Sequence, residues 1–161
     1  MRHIIHAAIP PIIDGNSEML ILGSVPSVKS VEHGFYYMHP QNRFWRMIGD
    51  ILGHDLVGAG HEEKRRVFFE NRLALYDAVF ECDIEGSADS RARNIVPTDI
   101  AGLITGTPIR KILCNGALAY EIASKNNPSV TAPFVRMPST SPANAAVGYE
   151  ELLRIWNGQI K

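Results

Sequence analysis

Four short apolar runs, each stopping where a polar or glycine-bearing loop begins, constrain this chain more than any other feature. Met19-Leu20-Ile21-Leu22 stops at Gly23, and Leu73-Ala74-Leu75-Tyr76 stops at Asp77. Ile112-Leu113-Cys114 stops at Asn115-Gly116, and Ala132 to Met137 runs into Pro138. Such short runs without alternation fit strands buried on both faces, the pattern of a parallel sheet. Between them lie segments with helical spacing. Phe44, Ile48, Ile51 and Leu52 recur with Gly53 at the C-cap position, and a charged helix follows from Glu62 to about Asn71. Thr98 is placed to cap a short helix through Leu103-Ile104, and Ala117 to Lys125 is closed by Asn126-Asn127-Pro128. Tyr149, Leu152, Leu153, Trp156 and Ile160 put one apolar stripe on a last helix. Strands alternating with helices predict one parallel sheet covered on both faces, in a single domain over residues 1–161. Residues before Ser17 read as an extended lead-in, and Glu81 to Pro97 as a polar loop.

Composition narrows the function classes. Lys and Arg number 16 against 17 Asp and Glu, so the formal net charge of −1 excludes a strongly basic, histone-like coat while leaving room for a local basic rim. Two cysteines, Cys82 and Cys114, cannot form a disulfide framework or a four-cysteine zinc site, and no HExxH string occurs. They read as reduced structural thiols of a cytoplasmic protein. No apolar run is long enough to cross a bilayer, and the N-terminus lacks a secretory h-region.

In open parallel sheets, ligands bind beyond the carboxyl ends of the strands. That rule selects four stretches: Ser24–Asn42, Asp77–Pro97, Asn115-Gly116 and Pro138–Asn144. Gly23-Ser24-Val25-Pro26-Ser27 is neither GxGxxG nor a Walker A loop, and no G-x-S-x-G elbow is present, so dinucleotide, P-loop and elbow-hydrolase readings lose their main support. What remains is a cleft rich in aromatics, amides and hydroxyls. Aromatic faces stack on a nucleobase, amides read its edge, and hydroxyls with backbone N–H groups suit phosphate oxygens.

Leu22-Gly23-Ser24-Val25-Pro26-Ser27, followed by Tyr36-Tyr37-Met38-His39-Pro40-Gln41-Asn42-Arg43-Phe44-Trp45, resembles the uracil-DNA glycosylase superfamily, and most of all its hypoxanthine-DNA (deoxyinosine) glycosylase branch. Leu75-Tyr76-Asp77-Ala78-Val79 and Pro138-Ser139-Thr140-Ser141-Pro142-Ala143-Asn144 match that branch's later motifs in order. The resemblance covers nearly the whole chain. It implies a three-layer α/β/α sandwich on a four-stranded parallel sheet, and removal of hypoxanthine, with uracil second, from DNA without metal or other cofactor. It implies Asn42 as the catalytic residue, orienting a water through its amide oxygen or supporting the leaving base. Phe44 is implied as the stacking platform, shared with Tyr36 or Tyr37, and Asp77 as the base reader in place of an amide. Ser24, Val25, His39 and Asn115 complete the base pocket. Ser139, Thr140, Ser141, Pro142 and Asn144 form the loop that presses into the duplex, with Ser27, Arg91 and Arg93 on its backbone. The partner is DNA and the expected state a monomer, associated with the nucleoid if the source is a prokaryote. The classical branch has an aspartate just after the first-motif glycine and a histidine at the start of the last motif. Ser24-Val25 and Met137-Pro138-Ser139 hold neither.

Plainer readings stand beside these. Asn42 is a good helix N-cap, Asp77 and Asn115-Gly116 are turn formers, and Arg91 and Arg93 can be solvated charges. Glu62-Glu63-Lys64-Arg65-Arg66 reads as an exposed helical face, and His3, His6, His54 and His61 as surface or packing residues. Two further functions are compatible with the same residues: a small hydrolase using Ser24 and His39, and a damage-sensing DNA-binding module without turnover.

Overall fold

A computed structural model describes residues 2–5, 9–84 and 92–161, with the backbone alone for 2–5. In chain order the elements are β1 (Arg2–Ile5), β2 (Met19–Gly23), α1 (Val28–His33), α2 (Phe44–Leu52), α3 (His61–Glu70), β3 (Leu73–Asp77), β4 (Val79–Ile84), β5 (Ala92–Pro97), α4 (Ile100–Ile104), β6 (Lys111–Asn115), α5 (Ala117–Asn126), β7 (Phe134–Met137) and α6 (Tyr149–Ile160). The four expected runs form one parallel sheet in the order β3-β2-β6-β7. Every residue of β2 and of β3 is buried. A strand buried on both faces needs cover above and below, which the helices supply, giving the three-layer sandwich. Each Leu or Ile so buried stabilises the fold by roughly 1.5–3 kcal/mol.

The parallel register sets the site. Gly23 of β2 lies beside Asp77 of β3, and Asn115 of β6 beside Met137 of β7, so all four strands end together. The four loops therefore meet at one edge. Leu152 and Trp156 of α6 are wholly buried, and the Trp156 indole N–H donates to the Pro138 carbonyl at 3.0 Å, holding the root of the last loop.

Several local expectations change. Within the stretch read as a polar loop, Glu81–Ile84 belong to β4 and Ala92–Pro97 form β5, which pairs with β4 antiparallel; β1, read as lead-in, pairs with β4 in a second sheet of order β1-β4-β5. The β4–β5 pairing carries a pair of register shifts between Val79, Glu81 and Asp83. Such irregularities break the period of two, so Val79, Cys82 and Ile84 all turn inward although they do not alternate evenly. They pack with Val31 of α1 and Ile122 of α5. Within the long first loop, Ser27 caps the unexpected helix α1 by accepting the Ser30 N–H at 3.1 Å. The cap of α4 is Asp99, not Thr98; the Thr98 hydroxyl instead donates to the Asp77 carbonyl at 2.7 Å. Gly53 closes α2 at φ +76°, as its position indicated.

The charged face of α3 also needs correction. Arg65 pairs with Glu62, and Arg66 with Glu63 and Glu70, all on the exposed side. Lys64, however, shares the inner face with Val67 and Phe68 and is only 4% exposed. Its ammonium lies 5.1 Å from the Trp45 ring centroid and 5.8 Å from that of Phe35, where aromatic faces partly replace water. Burial lowers its pKa. His61 stacks on the other aromatic of this group, 4.2 Å from Phe35.

No helix among the described residues is long and apolar enough to cross a membrane. Cys82 and Cys114 are both wholly buried, and burial pushes the Cys114 thiol up to about 12. The thiolate is the reactive form, so neither cysteine is expected to react with an aromatic disulfide reagent in the native protein. Titration should release chromophore only after denaturation; prompt labelling of the folded chain would contradict this packing.

Candidate active site

Where the four strand ends meet, a cavity of about 350 Å³ opens, at the small end of the range for small-molecule sites. Its walls come from all four predicted stretches. Gly23 through Ser27, Ser30, Tyr36, Tyr37, His39 and Asn42 contribute from the first, and Asp77 from the second. Asn115 contributes from the third, and Ser139 through Ala143 from the last. Among the described residues, Asp77 is the one carboxylate lining the cavity.

The floor is built by close approach. A side-chain carbon on Gly23 would collide with Asp77 Oδ1 and lie 2.7 Å from the Tyr37 hydroxyl, so only glycine lets these two groups close over the end of β2. Tyr37 itself has φ +55°, an uncommon conformation for a non-glycine residue. Its ring stacks on Phe44 with centroids 4.0 Å apart and planes 21° apart, and its hydroxyl accepts a hydrogen bond from Asn115 Nδ2 at 3.1 Å. The ring is thus held on one face and at its tip, and the residue lines the cavity.

The three aromatics are placed differently. Phe44 is wholly buried, edge-on to Trp45 and Trp156, and does not line the cavity. It packs behind Tyr37, which does line the cavity. Tyr36 is buried too. It nevertheless lines the cavity, while its hydroxyl donates to the Pro10 carbonyl at 2.9 Å and its carbonyl accepts the Trp45 indole N–H at 2.8 Å. Burial raises its pKa, with the Asp77 charge acting in the same sense.

Asn42 stands just before α2. Its Oδ1 accepts the Phe44 N–H at 3.0 Å and the Thr140 hydroxyl at 2.8 Å. A carbonyl oxygen has two lone pairs, and both are occupied. The capping role and the cavity role therefore coexist: the oxygen caps the helix, and Nδ2, which takes no hydrogen-bond partner among the described residues, is left to the cavity. Behind it, Asn115 Nδ2 donates to Thr140 Oγ1 at 3.0 Å while Asn115 Oδ1 accepts the Thr140 N–H at 3.0 Å. Thr140 is wholly buried and Asn115 7% exposed. Thr140 thus stands in the cavity wall with its side chain buried and its hydroxyl committed to the two asparagines.

His39 lines the cavity, but its Nδ1 accepts the Gln41 N–H at 3.1 Å. A neutral imidazole so engaged carries its proton on Nε2 and has no free nitrogen lone pair to take a serine proton, which removes the base that a Ser24–His39 hydrolase requires. Ser27 lines the cavity while serving as a helix cap, and Asn144 ties its own loop through Nδ2 to the Ser139 carbonyl at 3.0 Å. Arg93 is exposed on β5 and is not among the lining residues; Arg91 lies outside the described residues. Among the described residues no cluster of three or more His, Cys, Asp or Glu side chains could hold a metal ion.

The residue that sequence reasoning passed over is Arg43. Its guanidinium donates to the carbonyls of Val147 (2.6 Å), Asn144 (3.1 Å), Ser141 (3.2 Å), Ser139 (3.4 Å) and Thr140 (3.4 Å). One cation thereby gathers the whole last loop and ties it to the residue beside Asn42. A signal was present: from Gly34 to Trp45 the chain has no Asp or Glu, so an arginine there has no local carboxylate and must find other acceptors.

The model of the Uracil DNA glycosylase superfamily matches residues 10–158. The chain belongs to that superfamily. Two curated relatives are named hypoxanthine DNA glycosylase. The protein of Methanosarcina acetivorans is 36% identical over 119 residues, 73% of this chain and 75% of its own. That of Methanosarcina barkeri is 38% identical over 113 residues, 70% of this chain and 72% of its own. A solution NMR structure from Methanosarcina acetivorans, described as a candidate uracil DNA glycosylase, superposes with a TM-score of 0.80 at 32% identity, covering 94% of each chain. Within the superfamily frame, the last loop is the element that Arg43 secures.

Replacing Arg43 by Ala removes several charge-assisted donors and leaves part-buried carbonyls unpaired. The expected loss, measured by urea unfolding, is about 1.5–3 kcal/mol. Lys, lacking the planar fork, should recover little of it. An Arg43→Ala protein as stable as the parent would contradict the clamp.

Proposed function

We propose that this chain is a monofunctional DNA glycosylase that hydrolyses the N-glycosidic bond of deaminated bases in DNA, hypoxanthine first and uracil second. It works as a cytoplasmic monomer on a base turned out of the duplex. The observation that carries the reading is the clamped amide of Asn42, its oxygen taken by two donors and its nitrogen left to a base-sized cavity beside the Tyr37 ring.

Turning a base out of the stack costs a few kcal/mol, least for a mispaired one. Stacking on one aromatic face returns about 1–3 kcal/mol, and Tyr37 offers such a face. Asp77, 4% exposed at the cavity wall, suits the base's hydrogen-bonding edge. Deamination of adenine turns the ring N1 from a lone pair into an N–H and the amino group into a carbonyl. A carboxylate accepts from that N–H and repels the lone pair of adenine.

Bond breaking puts positive charge on the sugar and negative charge on the departing base. Asn42 Nδ2, a donor held in place before the reaction starts, stabilises the charge that develops on the base. Of the two roles open to Asn42, support of the leaving base agrees with its hydrogen bonds, because the oxygen that would steer water is already occupied. Water then adds at C1′ as the carbon–nitrogen bond breaks. The bond's electron pair leaves with the base, which ends protonated.

The test is excision from duplexes carrying deoxyinosine or deoxyuridine, with strand breaks scored with and without alkali under single-turnover conditions. Base release with alkali-dependent breaks is expected, faster for inosine. Asn42→Ala should lower the rate about a hundredfold to thousandfold, equivalent to about 2.7–4 kcal/mol. Binding without release would instead identify a damage sensor, and an unaffected Asn42→Ala enzyme would remove Asn42 from the mechanism.

A further inference from the structure

We propose that Thr140 is a positioning residue for the reaction, setting through its hydroxyl proton which atom of Asn42 faces the substrate. This rests on the glycosylase reading above and adds to it a buried residue of the cavity wall whose hydroxyl acts through Asn42.

Asparagine amides look nearly alike from either side, so their orientation must be argued from partners. Here the partners leave one solution. A backbone N–H can only donate, so the Thr140 N–H at 3.0 Å identifies the nearby atom of Asn115 as its oxygen, and the Phe44 N–H at 3.0 Å does the same for Asn42. Asn115 Nδ2 can then only donate, and Thr140 Oγ1, 3.0 Å away, must accept from it. The single hydroxyl proton of Thr140 is left to point at Asn42 Oδ1, 2.8 Å away. Two backbone N–H groups thus fix the ends of a directional chain, and the threonine proton joins them.

Two consequences follow. First, the second donor keeps the Asn42 oxygen turned from the cavity, where a single backbone hydrogen bond would leave its other lone pair seeking one. Second, successive donors polarise one another: charge drawn toward the Asn42 oxygen makes its N–H groups better donors to a base gaining negative charge. Thr140 is wholly buried, so no water competes for its hydroxyl from solvent. The Arg43 N–H and Nε both reach the Thr140 carbonyl, at 3.2 and 3.4 Å, and hold the threonine backbone against the segment that carries Asn42.

The experiment compares parent, Thr140→Val, Thr140→Ala and Thr140→Ser, each with Asn42 intact and with Asn42→Ala, on a deoxyinosine duplex. Single-turnover rates and duplex affinities are both measured. Val keeps the shape and loses the proton, Ala replaces Val if Val does not fold, and Ser restores the proton without the methyl group. With Asn42 present, Val or Ala should slow excision roughly ten- to a hundredfold while affinity changes less than about threefold, and Ser should stay within about threefold of the parent. In the Asn42→Ala background, the same changes should add less than about twofold, because the group they position is gone. Parental rates in Val and Ala, equal damage in Ser, or full additivity with Asn42→Ala would each overturn the proposal with the glycosylase reading intact. A parent that releases no base would overturn both.

Discussion

Two hydrogen bonds to one oxygen organise this site. Asn42 Oδ1 accepts from the Phe44 N–H, two residues on, and from the hydroxyl of Thr140, 98 residues away. The first bond is local, the ordinary business of starting a helix. The second exists only because parallel β2, β6 and β7 end at one level and deliver the first and last loops to the same edge. Arg43 secures that meeting by filling the concave side of the last loop with a cation. Remove the sheet register and the amide has no reason to face the cavity.

The site separates mechanical tasks from chemical ones. Phe44 is core, anchored among Trp45, Phe68 and Trp156, and lends its rigidity to Tyr37, which faces the cavity. Gly23 gives up its side chain so that Asp77 and Tyr37 can close over the strand end. Thr98 holds the Asp77 backbone by donating to its carbonyl. Tyr37 and Asp77, which line the cavity, are thus each held by a neighbour that does not line it, the arrangement that precise placement requires.

Much of this was legible in the residues. Continuous apolar runs identified the parallel strands, and the rule that ligands sit at strand ends selected the four loops that do line the cavity. The second sheet was not legible, because its bulged strand β4 breaks alternation and its partner β5 is polar and exposed. Lys64 was placed outside because charge normally marks a solvated face; its long stem lies inward and its charge rests on aromatic rings. At the site, residue types announced stacking and base reading but not direction. Whether Phe44 or Tyr37 faces the cavity, and whether Asn42 offers oxygen or nitrogen, depends on backbone angles and distant partners that no local pattern encodes.

The central claim is that Asn42 donates, through Nδ2, to an extruded base. The direct measurement is the side-chain amide resonance of Asn42 in ¹⁵N-labelled protein, recorded free and bound to a duplex containing 2′-fluoro-deoxyinosine, which resists cleavage. The account expects one Asn42 amide proton to move downfield on binding, and no such change with the matched adenine duplex. An Asn42 amide unmoved by the inosine duplex, while Tyr37 and neighbouring resonances shift, would contradict it.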